Sequence, residues 1–165
     1  MNLLLTCIEY IQRFLKIIDK ESHIISFFLN EPQKRLYETI KEQWKQGKPV
    51  RIIILKARQM GFSTLTAAII FWMAATAFNV RCLIVAHTEE TTTNLFQIYK
   101  RFYDHLPDRI KPLVKASNGR ELSFDRPTRY KGTSRGLGSS IRCITAGGES
   151  IGRSFTLKAL HLSEL

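Results

Sequence analysis

The chain has 165 residues, 44% of them hydrophobic and 24% charged, ordinary values for a folded chain about one domain long. That composition excludes a disordered tail, a collagen-like repeat and a disulfide scaffold. With 25 Lys and Arg against 14 Asp and Glu, the net charge of +11 points to a polyanionic partner, nucleotide or nucleic acid.

In chain order, Leu4, Ile8, Ile11, Leu15 and Ile18 recur at steps of three and four, which predicts an amphipathic helix over Leu3 to Ile18. Glu9, Gln12 and Arg13 break the apolar run short of a membrane span, and no small-residue cleavage site follows. A boundary near Leu29 to Pro32 separates residues 1–30, an N-terminal helical segment, from residues 31–165. Pro32 to Trp44 reads as a helix with Leu36, Tyr37, Ile40 and Trp44 on one side, Pro32 in its first turn and Gly47 as its stop. Arg51 to Leu55 is a β-branched run, expected to be a buried strand. Ser63 to Phe78 follows as an apolar helix too short to cross a bilayer. Arg81 to Ala86 reads as a second buried strand, and Thr91 to Leu106 as a helix stopped by Pro107. Glu121 to Phe124 and Ser140 to Thr145 read as short strands flanking a Gly/Ser/Arg loop, and Thr156 to Leu162 as a final strand. This alternation predicts βαβ units and an α/β fold with a largely parallel sheet.

Charge is concentrated in residues 100–142, which hold 11 basic and 4 acidic side chains with Tyr99, Phe102, Tyr103, Phe124 and Tyr130 interleaved. Two readings stand side by side: a track for the phosphate backbone of DNA, or a solvated face with the aromatic rings in the core. Cys7, Cys82 and Cys143 have no metal-ligand or redox spacing and suit a reducing compartment. His23 and His105 have no cluster partners in the sequence, His87 follows a strand and His161 lies within one, so no metal site is expected from them.

The segment Lys56-Ala57-Arg58-Gln59-Met60-Gly61-Phe62-Ser63-Thr64 lies between a predicted strand and a long helix, where a phosphate-binding loop belongs. There backbone N–H groups of the turn and the helix N-terminus converge on an anion, a hydroxyl ligates Mg²⁺, and a cation neutralises the transferred phosphoryl group. Against the pattern G-x-x-x-x-G-K-S/T, Gly61 and Ser63 fit the last glycine and the hydroxyl. Phe62 stands at the lysine and Lys56 at the first glycine, so Lys56 or Arg58 would supply the cation. A plain strand–turn–helix connection is the alternative. Glu164 follows the apolar strand and Ser163, where a carboxylate that orients water would sit; alone, such a Glu is ordinarily a surface residue.

At these residues, over about Phe28 to Leu165, the chain resembles the ATPase domain of the large terminase subunit of tailed bacteriophages, the motor that packages DNA into proheads. Lys56 to Thr64 is similar to that family's deviant Walker A loop, with the lysine at its head and an arginine at the Arg58 position. Ala159 to Glu164 resembles its Walker B strand, with Ser-Glu in place of Asp-Glu, and Pro32-Gln33 resembles its upstream glutamine motif. The resemblance implies a P-loop NTPase fold of the RecA-like, additional-strand type, a three-layer α/β/α arrangement with a mostly parallel sheet. It implies ATP and Mg²⁺ as cofactors, with Gln33 on the adenine edge, Lys56 and Arg58 on phosphates, and Ala57, Gln59, Met60, Gly61 and Phe62 completing the cradle. Ser63 would ligate Mg²⁺, with Ser163 a weaker metal position, and Thr64 would hydrogen-bond a phosphate. Glu164 would activate water, and Arg153 would act in trans on a neighbour's ATP. The partners implied are double-stranded DNA, a small terminase subunit, a portal protein and further copies in a ring, in the cytoplasm of a bacterial host and with no membrane.

That family's large subunit continues past its Walker B strand with more strands, a coupling motif and a nuclease domain, whereas this sequence ends at Leu165. The resemblance therefore implies a partial ATPase domain over residues 31–165, incomplete at its C-terminus, with the nuclease domain absent and with poor stability and weak or no turnover on its own. Two other readings belong beside it: a truncated prophage remnant that binds nucleotide or DNA only, and another helicase-like P-loop ATPase. A helicase would carry lysine where Phe62 stands and aspartate where Ser163 stands.

Overall fold

Helices and strands alternate through much of the chain in the computed structural model, which describes residues 6–55, 57, 59–127, 132, 136–147 and 156–163. Thr6 opens α1 (Cys7–Phe14): its hydroxyl accepts the Glu9 amide at 3.4 Å, and the Glu9 carboxylate accepts the Thr6 amide at 2.8 Å. This reciprocal cap satisfies two donors that a helix start otherwise leaves open. After Phe14 the chain turns extended, and β1 (Lys16–Ile18) pairs antiparallel with β2 (Ile24–Ser26), Ile17 opposite Ile25. The helix expected to run to Ile18 is corrected here. Ile17 and Ile18 are β-branched, and Asp19 closes the turn by accepting the amides of Glu21 and His23. Tyr10, Ile11, Phe14, Leu15 and Phe27 of this N-terminal part lie in the same hydrophobic core as the rest of the chain.

Asn30 caps α2 (Glu31–Lys45), which carries Pro32 in its first turn as the sequence predicts. Residues 51–55 then depart from expectation. They form no strand, Ile53 and Leu55 are fully exposed, and only Val50 and Ile52 pack against the core. A β-branched run becomes a strand only when a neighbour takes up its backbone groups, and none of the described strands pairs with it.

The buried helix α3 (Phe62–Thr76) leads to β3 (Arg81–Ala86), and α4 (Glu89–Asp104) follows behind a Thr88 cap. Next come β4 (Ala116–Ser117), β5 (Glu121–Phe124), β6 (Ser139–Thr145) and β7 (Ala159–Ser163). The main sheet has the order β4-β5-β6-β3-β7. The β6, β3 and β7 strands are parallel, whereas β4–β5 and β5–β6 are antiparallel. The expected mostly parallel sheet is thus a mixed one. Antiparallel pairing of β5 with β6 needs no crossover helix between them.

Both α3 and α4 pack against β3 and β6 and against each other. The core between them centres on Phe71, whose ring meets Phe102 at 5.7 Å and Phe124 at 5.9 Å, both edge to face. Cys82, Ile84, Ala86, Ile141 and Cys143 join this core, together with the buried apolar residues of the four described α-helices. Leu83 and Val85 alternate to the other face of β3, where they pair with the exposed Leu160 and Leu162 of β7. Leu83 and Val85 are buried but stand outside the main core, and the observed architecture is a mixed α/β one, a five-stranded sheet with helices packed against it. Among the described residues no helix is long and apolar enough to cross a membrane.

Candidate functional site

The loop before α3 rests on the capping box of α2. Asn30 Oδ1 accepts the Gln33 amide at 2.9 Å, and Gln33 Oε1 accepts the Asn30 amide at 3.0 Å. Each side-chain amide then uses its nitrogen on the loop: Gln33 Nε2 donates to the Gly61 carbonyl at 2.7 Å, and Asn30 Nδ2 to the Met60 carbonyl at 3.4 Å. Gln33 is only 4% exposed, and these partners admit a single orientation of its amide, because an N–H must meet an oxygen and a C=O must meet a nitrogen. The backbone follows. Gln59 and Gly61 both take left-handed φ, 63° and 72°, and a Cβ built on Gly61 would stand 2.6 Å from Gln33 Nε2. Glycine is therefore favoured at position 61 by φ, and a side chain there would displace the Gln33 amide from its place.

Gly61 is the N-cap of α3 and has no side chain to accept a first-turn amide, and that turn holds no acidic residue. Thr6, Asn30 and Thr88 do accept such an amide at the other three described α-helices. In a planar trans peptide the C=O and the following N–H point oppositely. Seating the Met60 and Gly61 carbonyls on α2 therefore turns the Gly61 and Phe62 N–H groups away from it. Phe62, Ser63 and Thr64 are half-buried in the first turn of α3.

At the other component of the expected site, β7 runs parallel to β3 and ends with Ser163, 7% exposed, beside Ala86. The end of β6 meets α4 through a part-buried polar contact, Thr145 Oγ1 to Thr92 Oγ1 at 2.9 Å. Lys56, Arg58, Arg153 and Glu164 lie outside the described residues. The structure therefore brings together Gln33, Met60 and Gly61, with Ser63 and Thr64 on the adjoining turn, and places Ser163 at the end of β7.

In the basic region, Tyr99, Phe102 and Phe124 are fully buried, which takes these rings out of reach of nucleic-acid bases. Lys100, Arg109, Lys115, Arg120 and Arg142 are exposed; Arg120 pairs with Glu89, and Lys111 stands 4.8 Å from the centre of the Tyr103 ring. Arg129, Tyr130, Lys131 and Arg135 fall outside the described residues. Burial pushes the thiols of Cys7, Cys82 and Cys143 up to about 12 and holds His161 below its ordinary value. His23, expected to stand apart, meets Asp19 at 3.5 Å in the β1–β2 turn and clusters there with Asp19, half-buried, and Glu21, exposed.

Sequence reading missed Asn30. The spacing Asn30-x-x-Gln33 ahead of an apolar pattern is the signal that could have found the cap, though not its second use on the loop. No protein-family model matches the chain, and no curated protein matches it.

Proposed function

We propose that the chain is the ATP-binding and ATP-hydrolysing part of a DNA-packaging motor of the large-terminase type, with the P-loop fold that this implies. The observation that carries the reading is the loop at Gly61: a left-handed glycine at the N-cap of a buried helix, with two consecutive carbonyls held on α2 and the N–H groups turned to the opposite side. Backbone donors so arranged favour an anion, and the helix dipole adds to them. The residues suit Mg²⁺–ATP: Ser63 offers a hydroxyl in the first turn of α3, and Ser163 another at the end of β7. Mg²⁺, when bound, would neutralise charge on the β- and γ-phosphates. In this reading Lys56 and Arg58 contact phosphates, Thr64 hydrogen-bonds one of them, Glu164 orients the attacking water, and Arg153 acts on a neighbour's nucleotide. The exposed basic side chains of residues 100–142 follow the backbone of double-stranded DNA without stacking on its bases.

A second reading, nucleotide or DNA binding without turnover, draws support from one observation. Residues 51–55 do not join the sheet, so in the described structure the loop is seated on α2 and α3 and not on a strand. The test is ATP binding and steady-state hydrolysis by the chain and by Lys56→Ala, Arg58→Ala and Glu164→Gln. Glu164→Gln is expected to keep binding and lose turnover, and the two cation changes to weaken binding. Equal turnover by Glu164→Gln and the parent would remove Glu164 as the base, and binding without any turnover in the parent would select the second reading.

A further inference from the structure

We infer that Gln33 is a positioning residue for the phosphate loop and not a reader of the adenine base. The inference rests, for its nucleotide consequences, on the function proposed above; its structural content stands on the hydrogen bonds alone. Three observations converge. Both ends of the Gln33 amide are engaged inside the protein, Oε1 by the Asn30 amide and Nε2 by the Gly61 carbonyl, and the side chain is 4% exposed. Asn30, its partner in the cap, holds the preceding carbonyl of Met60 in the same manner, so one capping box grips two successive loop carbonyls. Gly61 packs so closely on Gln33 that a methyl group would not fit between them.

The Gly61 carbonyl thereby accepts twice, from Gln33 Nε2 at 2.7 Å and from the Leu65 amide at 3.1 Å, which opens α3. Gln33 thus fixes the direction of the first turn of α3 relative to α2, and with it the direction of the N–H groups that face an anion. A residue employed in this way acts equally on every ligand that carries the triphosphate, whatever its base.

Gln33→Glu separates the two uses of the side chain. A glutamate at this position still accepts the Asn30 amide and completes the α2 cap, but it sets an oxygen against the Gly61 carbonyl. Hydrogen exchange of the ligand-free chain is expected to show the amides of residues 59–65 exchanging roughly tenfold faster in Gln33→Glu, the order expected for one broken hydrogen bond, with the amides of α2 unchanged. Unchanged exchange over residues 59–65, or an equal rise in α2 and the loop, would overturn the inference. Ile40→Val, which trims the core side of α2, serves as the control for a general loss of stability and should leave the ratio of loop to α2 exchange as in the parent.

Binding of ATP, GTP and inorganic tripolyphosphate then supplies the second readout. Gln33→Glu is expected to weaken all three by the same factor. A loss confined to ATP, with tripolyphosphate unaffected, would make Gln33 a base reader and refute the positioning role. If the parent binds none of the three, the proposed function falls, while the exchange measurement still decides whether Gln33 seats the loop.

Discussion

Ala86 and Ser163 are register partners in the parallel pair β3–β7, so the two strands end side by side. In open α/β sheets the crevice beyond the carboxyl ends of parallel strands is where ligands bind. His87 follows Ala86 and leaves the sheet at this end. The β6 strand runs parallel beside them, with Thr145 opposite Ala86. Three strand ends thus face the same way, and the mixed part of the sheet, β4 and β5, lies to one side of them.

The basic surface gives a first prediction. Lys100, Arg109 and Lys115 are exposed, and replacing all three with alanine is expected to weaken binding to duplex DNA of any sequence. For every phosphate that the altered protein leaves unneutralised, the steepness of the log–log salt dependence should fall by about 1. Fluorescence anisotropy with two unrelated duplexes over a salt series measures both. A salt response as steep as the parent's would place the DNA track elsewhere.

The core gives a second. Phe71 is fully buried and touches Phe102 and Phe124 edge to face. Phe71→Ala is expected to cost about 3–5 kcal/mol, since it removes the apolar ring and leaves a cavity bounded by two others. The midpoint of urea unfolding reads this directly, and a change below about 1 kcal/mol would mean that the cluster is not central to stability.

Titration gives a third. The Cys7, Cys82 and Cys143 thiols have folded values of about 12, raised by burial from an ordinary 9.0. The unfolded chain therefore loses these protons first, and stability should fall as pH rises from about 9 toward 12. His161 is shifted the other way, lowered by burial from 6.5, so the unfolded chain takes up its proton first and stability should also fall as pH drops below 6.5. Thermal unfolding across pH should show a maximum between these limits. The same burial predicts that a thiol reagent at pH 8 labels the three cysteines only after denaturation.

The β7 strand gives a fourth. It ends the sheet among the described strands, and Leu160 and Leu162 on its outer face are 53% and 49% exposed. An apolar strand at a sheet edge invites pairing with another chain. Light scattering of the purified chain is expected to show concentration-dependent association, reduced by Leu160→Lys with Leu162→Lys. Unchanged association would assign it to another surface.

Much of the architecture was legible in the sequence because it rests on local signals. Arg81 to Ala86 and Glu121 to Phe124 form the strands expected, since apolar and β-branched runs bounded by turn residues have few other solutions. The helices at Pro32, Ser63 and Thr91 begin within two residues of their expected starts, for reasons of capping and apolar periodicity. Gly61 was legible as a turn glycine, and its left-handed φ bears that out.

What the sequence determined by itself was the set of segments able to become helix or strand, and the placing of a glycine turn ahead of an apolar helix. Tertiary structure decided which of them found partners. Lys16 to Ile18 pairs in a hairpin instead of extending α1, and Arg51 to Leu55 stays outside the sheet although its composition equals that of a buried strand. Tertiary structure also gave Asn30 and Gln33 their second use, because no local pattern shows that a helix cap will meet carbonyls 28 to 30 residues away. The physical reason is common to all three cases: a backbone donor or acceptor settles where a partner in space completes it, and partners distant along the chain leave no mark on the local sequence.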